Sequence, residues 1–179
     1  MPTSRLLIAL LIVSLSCQTK TANQKSATAS AAVPEDSTLV LNSRPGPDAP
    51  RTAADRLVRA LYFEHNKKEN PFREKNRTLI DQYFAPPTAD LIWKNTHGTG
   101  GKLTPKTTNP LFNAPDNAIT KTWVNPGAVA GSKAVVYVTF ENQAKPEEIR
   151  IEMQQIAAGR WRITDMLYPN GKRLTEMLQ

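Results

Sequence analysis

The spacing of apolar residues changes midway along the folded part of the chain, from a helical period to a strand period. Thr52 is a suitable N-cap, and Asp55 three residues later stands where a capping box needs its second partner. Pro86-Pro87 separates a second helix from a short third one. The first half is therefore predicted to be helical, with one face of the first helix formed by Ala54, Leu57, Val58, Leu61, Tyr62 and His65.

The second half alternates with a period of two. Four segments place apolar residues on one face and polar residues on the other: 119–124, 133–141, 149–154 and 161–164. Such alternation is typical of an antiparallel sheet with one buried and one hydrated face. Pro169-Asn170-Gly171 then turns the chain into a last short helix. Helices followed by strands predict an α+β fold with a four-stranded antiparallel sheet.

A long stretch between the helices and the strands, residues 96–117, follows neither period. Its glycines and prolines exclude regular structure, and a loop of this length is usually functional or disordered. Leu111 and Phe112 are apolar, which indicates that part of the loop packs against the domain. Asp116 is a candidate to cap or brace it.

The N-terminal residues carry the pattern of an export signal. Arg5 precedes an apolar run over residues 6–13, which is too short to cross a bilayer, and Cys17 is the only cysteine. Ser14-Leu15-Ser16-Cys17 resembles the bacterial lipoprotein signal, in which the cysteine is cut and lipidated. Gln18 implies, on this resemblance, sorting to the periplasmic face of the outer membrane of a Gram-negative cell. Ordinary secretion and an uncleaved anchor are the alternatives.

These features divide the chain into three parts. Residues 1–16 are predicted to be a signal peptide, residues 17–50 a lipidated cysteine and flexible tether, and residues 51–179 the folded domain. The tether is rich in Thr, Ala, Ser, Lys and Pro and lacks amphipathic periodicity, so it cannot bury enough apolar surface to fold alone. Leu39-Val40-Leu41 is its exception and would add a short strand or pack on the domain.

The net positive charge of the chain indicates which classes of partner it could bind. The chain has 23 basic and 16 acidic residues, and loss of residues 1–16 would leave 22 against 16. In an exported protein this balance favours anionic lipid head groups or acidic envelope polymers over nucleic acid. A hydrated basic surface without a partner is the alternative. One cysteine excludes a disulfide within the chain.

Several short segments together resemble a family of bacterial exported proteins classed only as a domain of unknown function. That family is related in fold to the nuclear-transport-factor-2-like and cystatin-like α+β cones. The resemblance covers residues 53–179 and implies a curved sheet with the helices across its concave face, around a pocket. It implies no chemistry, since fold does not fix function. The segments are His65-Asn66, Asn70-Pro71-Phe72, Tyr83-Phe84, Asp90-Leu91-Ile92-Trp93, Asn109-Pro110-Leu111-Phe112 with Asp116, Trp161-Arg162-Ile163-Thr164-Asp165, Tyr168-Pro169 and Gly171.

Five residues are candidates to line that pocket: Tyr62, His65, Trp123, Trp161 and Asp165. His65 is either a general base or a structural residue that caps the end of the first helix or completes the core. Asp165 shares the strand parity of Trp161 and Ile163, so a buried carboxylate there would need a partner or a raised pKa. Tyr62 with Asp165 would imitate the tyrosine–aspartate oxyanion site of the ketosteroid isomerases, which share this fold class. The aromatic residues would otherwise belong to the core.

The sequence assigns no catalytic residue, metal or cofactor. No nucleophile elbow, phosphate loop or zinc helix motif is present in it. Asp81, Asp90 and Asp116 are conceivable ligands of a cation, but they have no readable spacing. Asn109 stands where the family commonly has an acidic residue, which argues further against a metal.

These observations favour a lipid-anchored envelope protein that acts as a binding or interaction module. Its expected partners are the membrane, through the lipid on Cys17, and an envelope protein or a small ligand. Two other hypotheses stay open: an isomerase- or hydratase-like enzyme that uses the cone pocket, and a structural or inhibitor-like protein that uses the exposed face of the sheet.

Overall fold

The computed structural model describes residues 35–66, 70–73, 75–98 and 108–179. The predicted signal peptide, Cys17 and the first half of the predicted tether lie outside these ranges. Helices precede an antiparallel sheet that is open and curved, and a short helix follows it, which confirms the α+β prediction. The helices are α1 (Glu35–Asn42), α2 (Ala53–Glu64), α3 (Arg77–Tyr83), α4 (Pro86–His97) and α5 (Leu174–Met177). The strands are β1 (Ile119–Val124), β2 (Ala128–Ala130), β3 (Lys133–Asn142), β4 (Lys145–Ile156) and β5 (Arg160–Leu167).

The strands lie in the order β1-β3-β4-β5, all antiparallel. A fifth strand that the pattern did not predict, β2, continues along β3 beyond the end of β1. Asn125-Pro126-Gly127 separates β1 from β2. A Cβ at Gly127 would come to 3.0 Å from a methyl group of Val136, so a larger residue here would require Val136 to shift by a few tenths of an ångström.

Helices α2, α3 and α4 pack on one face of the sheet, here called the inner face. Val136 and Val138 of β3, Ile149 and Ile151 of β4 and Ile163 of β5 are fully buried on it. α2 packs over this face through its apolar side, and its start is fixed by the predicted capping box. There the Asp55 backbone N–H donates to Thr52 Oγ1 at 3.2 Å, and the Asp55 carboxylate accepts from the Thr52 N–H at 2.6 Å.

Strand β5 contains a bulge that changes which face its side chains take. Glu152 pairs with Asp165, whereas the next residue, Met153, pairs with Ile163, which leaves Thr164 as the additional residue. One inserted residue reverses the parity of everything after it. Asp165 therefore lies with Glu152 on the outer face, opposite to α2, and the prediction that it shares a face with Ile163 is wrong.

The region predicted to be the second half of a flexible tether is ordered. Residues 35–42 form α1, which packs against β2 and β3 on the outer face of the sheet. Arg44 follows it, pairs with Glu148 and stacks over the ring of Tyr137 at 4.2 Å. Leu41 turns toward the sheet while Leu39 stays exposed. The folded part thus begins near residue 35, not near residue 51.

Candidate functional site

The loop segment Asn109–Ala114 enters the domain interior. Pro110, Leu111 and Phe112 are buried, and the segment closes on itself where the Asn109 N–H donates to the Ala114 carbonyl at 2.8 Å. The Phe112 ring meets the rings of Tyr62 and Phe140 edge-on, each at 5.1 Å between centroids. This segment, here called the inner segment, occupies the space between α2 and the sheet where a pocket was expected.

Two buried tyrosines hold the inner segment by its backbone. Tyr62 of α2 donates its hydroxyl to the Leu111 carbonyl at 2.7 Å, and Tyr168, just after β5, donates to the Pro110 carbonyl at 2.6 Å. Burial raises the pKa of both phenols well above the ordinary value of 10.0. Both hydroxyls are therefore neutral donors that satisfy carbonyls which could otherwise not be buried without cost.

A cluster of amides fixes the ends of this segment. Asn109 is almost fully buried and donates to the Asn66 carbonyl at 2.9 Å and to the Asp116 carboxylate at 2.8 Å. Its side-chain oxygen accepts from Asn70 and from the Leu111 N–H. Asp116 also pairs with Arg73 at 2.9 Å. Asp116 thus braces the loop, and Asn109 joins it to the end of α2.

His65 lies at the end of α2 as its C-cap residue, and its backbone N–H donates to the Leu61 carbonyl. Its ring packs against Tyr83 with 5.3 Å between centroids, and Nε2 lies 3.9 Å from the carboxylate of the neighbouring Glu64. These contacts fit the structural alternative, in which His65 caps the helix end or completes the core.

Asp165 belongs to an ion network on the outer face. It accepts from Arg173 at 2.8 Å and from the backbone and hydroxyl of Thr175 at 3.1 and 3.0 Å. Arg173 also pairs with Glu152, and these two carboxylates raise the pKa of the Arg173 guanidinium. The Tyr62 hydroxyl, in contrast, donates its hydrogen bond to the Leu111 carbonyl in the interior. The structure therefore does not bring Tyr62 and Asp165 together as an oxyanion site.

The two candidate tryptophans lie in different environments. Trp161 is buried in the core under the helices. Trp123 of β1 is 49% exposed, and two arginines lie over its ring: Arg51 at 5.7 Å and Arg59 at 5.9 Å. Trp123 therefore faces solvent and does not line an interior pocket.

Arg59 connects Trp123 to a second exposed aromatic residue. It lies 5.0 Å from the ring of Phe63, one helical turn along α2, and Phe63 is 48% exposed. Arg56 is exposed one turn before Arg59, on the same side of the helix. We call this set the arginine–aromatic patch; its members are Arg51, Arg56, Arg59, Phe63 and Trp123. Sequence reasoning missed it, although Phe63 stands outside the apolar stripe of α2, and this was the available signal.

Surface recesses elsewhere involve other residues. A recess of about 420 Å³ is open and is lined by Lys121, Thr139, Phe140, Glu141 and Pro146 to Glu148. A recess of about 340 Å³ lies under Leu41 on the outer face, beside Arg150 and Glu152. Tyr62, His65 and Trp161 line neither.

The acidic residues considered for a cation are held by arginines. Asp81 and Asp90 both pair with Arg77, and Asp116 pairs with Arg73. Within the described ranges, no group of three or more His, Cys, Asp or Glu side chains is placed to hold a metal ion. In the same part of the chain, none of the helices has the length and apolar character needed to cross a bilayer.

Comparisons with protein-family models, with curated proteins and with solved structures give no match to this chain. The resemblance to exported proteins with a nuclear-transport-factor-2-like fold therefore stays a prediction.

Proposed function

We propose that this protein is a membrane-tethered lipoprotein of the cell envelope whose folded domain is a binding module that works through its surface. The proposal of a lipid tether is based on the sequence around Cys17. Its apolar run, small residues and lone cysteine follow the bacterial lipoprotein pattern. The observation that carries the binding role is the arginine–aromatic patch. It combines cationic and apolar groups on one exposed face.

The interior of the domain supports a surface role. The two buried tyrosines that could act on a ligand donate to carbonyls of the inner segment, and Phe112 fills the space beside them. The carboxylate of Asp165 is compensated by Arg173 on the opposite side of the sheet. These groups stabilise the fold, whereas Arg56, Arg59, Phe63 and Trp123 of the patch are exposed to solvent.

The tether is tested by replacing its cysteine. In a Gram-negative host we expect the wild-type chain to remain with membranes after washes with salt and alkali, and mass spectrometry to find fatty acids on Cys17. Cys17→Ala should lose the acyl groups and be released by the same washes. Ser30→Ala, a control within the same segment, should behave like wild type. An unmodified Cys17 in a wild-type chain that resists the washes would overturn the proposal.

A further inference from the structure

We infer that the arginine–aromatic patch is the face by which the domain lies on an anionic lipid bilayer. The inference deepens the proposed function and relies on it for the proximity of the membrane. It is carried by the juxtaposition of Arg51 and Arg59 with two half-exposed aromatic rings, with the exposed Arg56 one helical turn from Arg59.

The charge of the patch is only partly neutralised by the domain. Arg51 shares its guanidinium between the Asp55 carboxylate at 3.3 Å and the Val124 carbonyl at 2.8 Å. Arg56 and Arg59 have no ion-pair partner among the described residues, and the nearest other acid along the helix, Glu64, points to His65. An excess of guanidinium groups on one face is complementary to the phosphates of an anionic leaflet.

Arginine suits this position for a geometric reason. A guanidinium can stack flat on an aromatic ring and still offer its N–H groups, in a planar fork, to phosphate oxygens. The Arg59 guanidinium lies over the rings of Phe63 and Trp123, at 5.0 and 5.9 Å from their centroids, and phosphate binding through its N–H groups is compatible with both contacts. The patch therefore presents cations at the depth of the head groups and rings beside them.

The aromatic side chains select a bilayer over a soluble polyanion. Phe63 and Trp123 each leave about half of their surface in water. Surfaces that combine Arg with Trp and Phe bind at the boundary between head groups and acyl chains, where the apolar rings lose contact with water. A hydrated acidic polymer would satisfy the arginines but would leave the ring of Phe63 exposed.

The length of the chain permits this contact. Eighteen residue steps separate Cys17 from Glu35, which at about 3.5 Å each span at most about 60 Å. A domain of this size is only about 40 Å across. Any face of the domain can therefore reach the leaflet that holds the lipid, and the surface chemistry decides which face does.

The experiment uses the acylated protein, purified from membranes and reconstituted on vesicles. One set contains phosphatidylcholine alone, and the other contains phosphatidylcholine with phosphatidylglycerol. The acyl anchor holds the protein on both sets. We expect tryptophan emission to shift to shorter wavelength, and quenching by acrylamide to fall, on the anionic vesicles only. Trp161 is buried and Trp93 is stacked on His97 at 3.7 Å, so Trp123 is the reporter.

Matched variants assign the effect to the patch. Trp123→Phe should abolish the shift, whereas Arg59→Glu should weaken docking at least fivefold, measured as the phosphatidylglycerol fraction needed for half of the shift. Arg160→Glu removes another exposed arginine, outside the patch, and should leave the midpoint within twofold of wild type. High salt should reverse the shift without detaching the protein.

Several outcomes would overturn the inference. They are equal emission on both lipids, a shift that persists in Trp123→Phe, and equal weakening by Arg59→Glu and Arg160→Glu. A shift produced on neutral vesicles by a soluble acidic polysaccharide would identify a polymer as the partner instead. Failure of the tether itself is distinguishable, because an unacylated protein would not attach to neutral vesicles at all.

Discussion

Tyr62 and Trp123 were both candidates to line one pocket, but the fold places Tyr62 in the interior and Trp123 at the surface. Tyr62 is fully buried, packs against Phe112 and donates to a backbone carbonyl. Trp123 is half exposed and has arginines over its ring. The aromatic residues around the inner segment thus belong to the core, whereas those of the arginine–aromatic patch are about half exposed. An aromatic residue becomes informative about function only once its polar partners are known.

The contrast predicts that damage to the inner segment unfolds the protein. Phe112→Ala should lower the free energy of unfolding by about 3–5 kcal/mol, because a buried ring is lost between Tyr62 and Phe140. Urea denaturation measures this. Trp123→Ala removes a larger ring from the patch and should cost far less. Equal costs would show that the two regions do not differ as described.

The amide cluster should be the next most sensitive feature. Asn109→Ala deletes two donated and two accepted hydrogen bonds at a buried position, and should cost about 2–4 kcal/mol since several partners lose their bonds. Asn117→Ala, at an exposed site in the same region, is the control and should change stability by less than about 0.5 kcal/mol. A small effect at Asn109 would mean that the cluster does not fix the inner segment.

The tyrosine donors predict a dependence on alkaline pH. Their pKa values are raised in the folded state, so their stabilisation is complete below pH 10 and is lost as the pH rises, because the unfolded chain ionises first. Stability should fall above pH 10 by about 1 kcal/mol per pH unit for each tyrosine. Tyr62→Phe should cost about 1–2 kcal/mol at pH 7 and reduce that slope, as a pH series of denaturation curves would reveal. An unchanged slope in Tyr62→Phe and in Tyr168→Phe would contradict the assignment.

The smallest effect on stability is expected in the patch. Arg59→Glu loses only exposed contacts with two rings, worth about 0.5–1 kcal/mol. Thermal melting should therefore leave Arg59→Glu close to wild type, although its docking on anionic vesicles is impaired. A large loss of stability would indicate that Arg59 is structural.

Much of the fold was predictable because its cues are local. The capping box at Thr52 and Asp55, the break at Pro86-Pro87 and the alternation of β3 need only neighbouring residues to be recognised. α1 was missed because its stability does not come from its own sequence. Its weakly amphipathic residues are held by contacts with β2 and β3, far away in the chain.

The candidate site was less predictable, for two physical reasons. The bulge at Thr164 is a property of strand pairing, and it moved Asp165 to the face where Arg173 and Glu152 lie. The filling of the expected pocket depends on long-range hydrogen bonds from Tyr62 and Tyr168, which no periodicity reveals. The sequence indicates that Phe63 lies outside the apolar stripe of α2. The contacts of Arg59 with Phe63 and Trp123 are visible only in the structure.

The central claim is that the domain binds through its patch while its interior stays closed. Hydrogen–deuterium exchange of the acylated protein on anionic and neutral vesicles tests it directly. The account predicts slower exchange on anionic vesicles in peptides that cover residues 56–63 and 119–124, with no change in peptides that cover residues 109–114. Altered exchange confined to residues 109–114 would contradict it, because the responsive site would then lie inside the domain.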